Sequence, residues 1–171
     1  MNTPIKHSIF IDFLTLQPVV DELATEVGNP TFMPHLTLAG HAIGNSTEIV
    51  AIAEQIAAQT EPFTITFKGF GTEHREFRFF CLLAERCNAI TQLYARVHRA
   101  LPATAAETFV DWPHVSLFYG TAAARAKYPN IDSLVQRYGT ELDGEQSVAS
   151  ISVWETNGPV ESWRHVQNLL L

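Results

Sequence analysis

The sequence predicts an α+β fold with largely antiparallel sheets. Three observations predict it: short apolar runs that pair as hairpins, helical runs long enough to cross over them, and a five-residue motif that occurs twice. Ile9-Phe10-Ile11 reads as an opening strand. Pro18 followed by Val19, Val20, Leu23, Ala24 and Val27 has helical spacing, and Gly28 closes that helix. Met33 to Ala39 forms the next strand and holds the first copy of the motif. Asn45 or Ser46 caps a second helix with Ile49, Val50, Ile52, Ala53 and Ile56 on its buried side.

Phe63, Ile65 and Phe67 alternate with Thr64, Thr66 and Lys68, so this stretch is a half-buried strand. A turn at Gly69-Phe70-Gly71 and a polar tip lead to a returning strand from Phe77 to Leu83. Ile90, Leu93, Tyr94, Val97 and Leu101 mark a third helix, and the second motif strand begins at His114. Asn130 caps a short helix through Leu134 and Val135 to Gly139. Val148–Trp154 and Val160–Leu170 make a final hairpin around Asn157-Gly158-Pro159.

At 171 residues the expectation is one domain, 1–171, made of two similar lobes. A net charge of −7 excludes a protein whose main task is to lie along a nucleic-acid backbone, which needs a cationic surface, but it leaves room for a small anionic ligand. Cys81 and Cys87 match neither a zinc knuckle nor a CxxC redox pair and read as free thiols. No apolar run approaches a membrane span, and the first residues lack the core of a signal peptide, so the expectation is a cytoplasmic monomer with no membrane partner.

The repeated motif is Pro34-His35-Leu36-Thr37-Leu38 and Pro113-His114-Val115-Ser116-Leu117. In an extended strand, side chains alternate between faces, so each copy sets an imidazole beside a hydroxyl on one face and anchors the other face with aliphatic side chains. If the two strands lie together, two imidazoles and two hydroxyls share a cleft. Histidine titrates near neutrality, so one ring can take a proton from water while the other gives one to a leaving oxygen. Thr37 and Ser116 can donate to phosphate oxygens, where charge builds as water attacks in line. The scheme needs no metal and no cofactor, and a zinc hydrolase is excluded because the seven histidines include no HExxH or similar pair.

The paired His-x-Thr and His-x-Ser motifs resemble those of the two-histidine (2H) phosphoesterase superfamily, and Tyr119, five residues after His114, resembles its cyclic phosphodiesterase branch. The resemblance covers essentially the whole chain. It implies a bilobed, pseudo-two-fold fold of two antiparallel sheets around a central cleft with helices outside. It also implies metal-independent hydrolysis of a small cyclic phosphodiester, ADP-ribose 1″,2″-cyclic phosphate or a nucleoside 2′,3′-cyclic phosphate, to a phosphomonoester. By the same resemblance His35 and His114 are the acid-base pair, and Thr37, Ser116 and Tyr119 bind the phosphate. Strict alternation sends Tyr119 to the face opposite His114, so it reaches the cleft only if the strand bends or ends near Phe118 and Gly120. The tryptophan expected in the N-terminal strand of that branch is replaced by Phe10 or Phe13.

Other residues rank lower. His41 shares parity with His35 but reads as a surface loop residue, Arg78 and Lys68 as outward-facing strand charges, and Trp154 as a core tryptophan. Two alternatives stand beside hydrolysis of a cyclic phosphate. One is an RNA-processing 2′,5′-phosphodiesterase or RNA ligase-like enzyme, which would want a basic track beside the cleft. The other is a phosphate-binding module without turnover.

Overall fold

The computed structural model describes residues 4–73, 75–101 and 113–171. Lys6–Asp12 forms β1 and Gln17–Val27 forms α1, with a proline in the first turn, where no backbone N–H is needed, and Gly28 ending the helix at φ 68°. His35–Ile43 is β2. Ser46–Ala57 is α2, capped by Asn45, whose side-chain oxygen accepts from the Glu48 backbone N–H at 2.9 Å. Phe63–Gly71 is β3, Phe80–Ala84 is β4, Asn88–Ala100 is α3 and His114–Phe118 is β5. Ala122–Lys127 (α4), Asp132–Tyr138 (α5), Gly144–Val148 (β6), Ser150–Glu155 (β7) and Arg164–Leu170 (β8) complete the order.

Among the described residues the strands make one antiparallel sheet in the order β6-β3-β4-β5-β2-β1-β7-β8. The two lobes expected from the repeat are its four-stranded halves, and the motif strands β2 and β5 meet at its centre through the single pair Leu36↔Val115. The two antiparallel sheets expected around the cleft are joined by this rung into one continuous sheet. The duplication extends to the backbone: the Pro34 carbonyl accepts from the Phe13 N–H and the Pro113 carbonyl from the Ala84 N–H, both at 2.8 Å. Helix α1 packs against β5 and α3 against β2, so each half's helix braces the other half's motif strand. Leu36, Leu38, Val115 and Leu117 are fully buried in this core, each worth about 1.5–3 kcal/mol of burial.

Several local expectations change. Gly69-Phe70-Gly71 is not a turn, because β3 continues to Gly71 through an irregularity between Phe67 and Phe70, where Gly69 takes φ 72°. The returning strand starts at Phe80. Residues 76–78 form a 3-10 turn whose carbonyls bond elsewhere, the Glu76 oxygen to the Gly120 N–H and the Phe77 oxygen to the Ser116 hydroxyl. In the tail, the hairpin is β7 with β8, preceded by a 3-10 turn at Val160–Ser162. Asn130 accepts from the Asp132 N–H at the start of α5. Strand β6 and helix α4 were not anticipated. Among the described residues no helix is long and apolar enough to cross a membrane. Cys81 and Cys87 are free.

Candidate functional site

The antiparallel register, carried one residue to either side of Leu36↔Val115, sets His35 opposite Ser116 and Thr37 opposite His114. Each imidazole therefore faces the hydroxyl of the other copy. All four residues, and Tyr119, line one cleft of about 310 Å³. Tyr119 reaches it because β5 ends at Phe118. Its ring stacks on Phe32 at 4.0 Å, and burial holds its phenol well above the ordinary range, so it enters the site as a neutral group.

His35 is held from two sides. Its Nδ1 lies 2.6 Å from the Met33 carbonyl oxygen, and its ring stacks on Phe10 at 3.8 Å. A carbonyl only accepts, so Nδ1 carries the proton of the neutral ring and Nε2 is left as the base. Burial lowers the pKa of His35 below its ordinary value; the bond to Met33 and the charge of Asp12, its partner across β1, offset this in part. The side chain of Thr37 is exposed to the cleft. Ser116 is different: its hydroxyl donates to the Phe77 carbonyl at 2.5 Å, with the Cys81 sulfur 3.7 Å away. Burial pushes the Cys81 thiol up to about 12, so it stays protonated.

Three residues that sequence reasoning ranked low are placed differently by the structure. His41 is not in a loop: it sits in β2 where Gly40 and His41 together oppose Ser8, a bulge at which His41 adopts φ 58° and turns into the cleft. Arg78 lines the cleft and is bonded to Glu73 at 2.9 Å, whereas Lys68 is an exposed charge on β3. Trp154 is half-buried, with its indole N–H donating to Ser152 at 3.0 Å, and does not line the cleft.

Sequence reasoning missed Trp163, Arg75 and Phe77. Trp163 lies between β7 and β8, its ring 6.0 Å from His35 and 6.1 Å from Phe10, with the indole N–H directed to the Gly158 carbonyl at 3.3 Å. It puts at the cleft the tryptophan that the N-terminal strand lacks, beside Phe10 of that strand. A tryptophan set between polar residues just after Gly158-Pro159 was the available signal, since nothing periodic there calls for a core residue. Arg75 and Phe77 belong to the polar tip between β3 and β4, where the charged run Glu73 to Arg78 breaks the strand alternation. Among the described residues no group of three or more His, Cys, Asp or Glu side chains is arranged to hold a metal ion.

A family model described as the 2'-5' RNA ligase superfamily matches residues 17–159. No curated protein matches the chain in a sequence comparison. Among solved structures, the fold is similar to apo LigT of E. coli, with 16% identity, 99% of both chains covered and a TM-score of 0.62. It is similar to TT0787 of Thermus thermophilus, with 14% identity, 99% of this chain and 98% of that one covered and a TM-score of 0.61. It is also similar to Usb1 of Kluyveromyces marxianus, with 12% identity, 96% and 97% covered and a TM-score of 0.56.

Proposed function

Because the chain belongs to the 2'-5' RNA ligase superfamily of two-histidine phosphoesterases, we propose that it hydrolyses a small cyclic phosphodiester, a nucleoside 2′,3′-cyclic phosphate or ADP-ribose 1″,2″-cyclic phosphate, to a phosphomonoester. The observation that carries this reading is the central register, which sets both imidazoles and Thr37 around one cleft. His35, neutral with Nε2 unprotonated, takes a proton from water as its oxygen bonds to phosphorus. His114 gives a proton to the ring oxygen as its bond to phosphorus breaks. Thr37 donates to a non-bridging oxygen, where negative charge grows, and Ser116 and Tyr119 adjoin it from the second motif. Trp163 offers a stacking surface for a base beside His35.

Incubation with nucleoside 2′,3′-cyclic phosphates and ADP-ribose cyclic phosphate, with and without EDTA, tests the proposal. Phosphomonoester formation at the same rate in both is expected. No product from any of them, or loss of the rate on chelation, overturns it. A second reading, cleavage of a linear 2′,5′-phosphodiester, draws support from Arg75 and from Phe77, which is 55% exposed at the cleft. Turnover of a 2′,5′-dinucleotide faster than of any cyclic phosphate selects it.

A further inference from the structure

The bond from Ser116 to Phe77 leaves the second motif chemically unlike the first. A hydroxyl has one proton, and that of Ser116 goes to a backbone carbonyl rather than into the cleft. The carbonyl belongs to a short strap, described at Glu73 and from 75 to 79, between β3 and β4. The Glu73 N–H donates to the Arg78 carbonyl at 2.8 Å, and the Arg78 guanidinium donates to the Glu73 carboxylate at 2.9 Å, which closes the strap on itself. Two further bonds fasten it to the end of β5: Ser116 Oγ to the Phe77 oxygen at 2.5 Å and the Gly120 N–H to the Glu76 oxygen at 2.7 Å.

The strap carries what the rest of the cleft lacks. Among the described residues that line the cleft, Arg75 and Arg78 are its only lysine or arginine side chains. Arg75 stands at the rim with 75% of its side chain exposed, 3.9 Å from Glu73. Arg78 is set deeper, 15% exposed, and its charge is felt by Cys81, the residue paired with Ser116 across the strands. A pentavalent phosphorus centre gathers negative charge on its equatorial oxygens, and a fixed guanidinium beside them is worth far more than one swinging from a loose loop. The Glu73 carboxylate accepts from the Arg78 guanidinium and restrains its plane.

Resting on the two-histidine reading above, we propose that Ser116 is a positioning residue. By holding the Phe77 carbonyl it fixes the strap so that Arg78 presents its guanidinium to the phosphate oxygens. The second motif thus contributes charge at one remove, through Arg78, where the first contributes a hydroxyl directly through Thr37.

A double-mutant cycle of Ser116→Ala and Arg78→Gln tests this, read as kcat and KM on the preferred cyclic phosphate and as calorimetric affinity for inorganic phosphate. Each single variant is expected to lower kcat/KM by about ten- to a hundredfold. The double variant should be no worse than the weaker single one within about threefold, since both changes remove the same contact. Ser116→Thr, which keeps the hydroxyl, should recover most of the rate, and the two limbs of the pH profile should stay where they are. Ser116→Cys, nearly isosteric and a poor donor, replaces the alanine variant if that one fails to fold. Effects that multiply would show that Ser116 binds the phosphate itself and overturn the proposal, as would normal turnover by Arg78→Gln. If the wild-type protein hydrolyses no cyclic phosphate, the functional reading falls while phosphate affinity still decides the cycle, and wild-type protein that binds no phosphate overturns both.

Discussion

The Nδ1 proton of His35 is fixed by a carbonyl that only accepts, so the histidine arrives at its task in one tautomer. Burial lowers its pKa, which keeps the ring unprotonated at a pH where free imidazole, at about 6.5, is half charged. The acid limb of the kcat/KM profile is therefore expected below pH 6.5, and a limb at or above that value would contradict the assignment of His35 as base. His35→Ala and His114→Ala should each remove most of the rate without loss of fold as followed by circular dichroism. Thr37→Ala should lower kcat by about one to three powers of ten, the scale of one transition-state donor, with little change in Tm because the side chain is exposed. Trp163→Ala should raise KM for a nucleoside cyclic phosphate by about tenfold or more, the scale of one base stacked on an aromatic ring, and leave a base-free cyclic phosphate unaffected. The residues legible in advance were those whose chemistry repeats: the duplicated motif led to His35, Thr37, His114 and Ser116 without any knowledge of the turns. What it could not show was where the proton of Ser116 goes, because Phe77 is 39 residues away.

At the level of elements, apolar periodicity was a faithful guide wherever an element had a face to bury. Helices α1, α2 and α3 fall where the spacing put them, with Val20, Leu23, Ile49, Ala53, Ile90 and Leu93 inward. Strand β6 was invisible because Gly144-Glu145-Gln146-Ser147 forms an edge strand with mostly exposed side chains, and α4 because six residues of Ala, Arg and Lys carry no stripe. These late helices are also tied to α1 by charge: Arg137 meets Glu22 at 2.5 Å and Glu26 at 2.6 Å, and Lys127 meets Glu26 at 2.9 Å. Hydrogen bonds from Arg137, Tyr128 and Lys127 hold the Glu26 carboxyl down to about 2. Its contribution to stability is thus present above its unfolded pKa near 4.5 and is lost as pH falls through about 2. The joint between β5 and the strap depends on the absence of a side chain at Gly120, where an added Cβ would lie 2.8 Å from the Cβ of Phe79 and 2.9 Å from the Arg125 guanidinium. Gly120→Ala should accordingly lower stability by about 1–3 kcal/mol, and faster hydrogen exchange across residues 75–79 would trace the loss to the strap.

For the molecule as a whole, acid should be the first stress to tell. His7 and His35 both have pKa values lowered chiefly by burial, so the folded chain resists taking protons that the unfolded chain accepts near pH 6.5. Stability from this source is full above that pH and falls as pH drops from about 6.5 toward the lowered folded values, so Tm should decline over that window. His7→Gln should flatten the decline, and an unchanged slope would assign it to other groups. The acidic surface does not bar an anionic substrate, since Arg75 and Arg78 stand at the cleft itself. Among the described residues only one backbone rung joins the two halves, while α1 and α3 reach across to clamp the opposite motif strands. The distance separating the rings of His35 and His114 is thereby expected to follow the aliphatic bulk underneath them. Trimming or enlarging Leu36 or Val115 would act like a shim under a vice, retuning which phosphates fit between the jaws while every polar side chain of the cleft is kept.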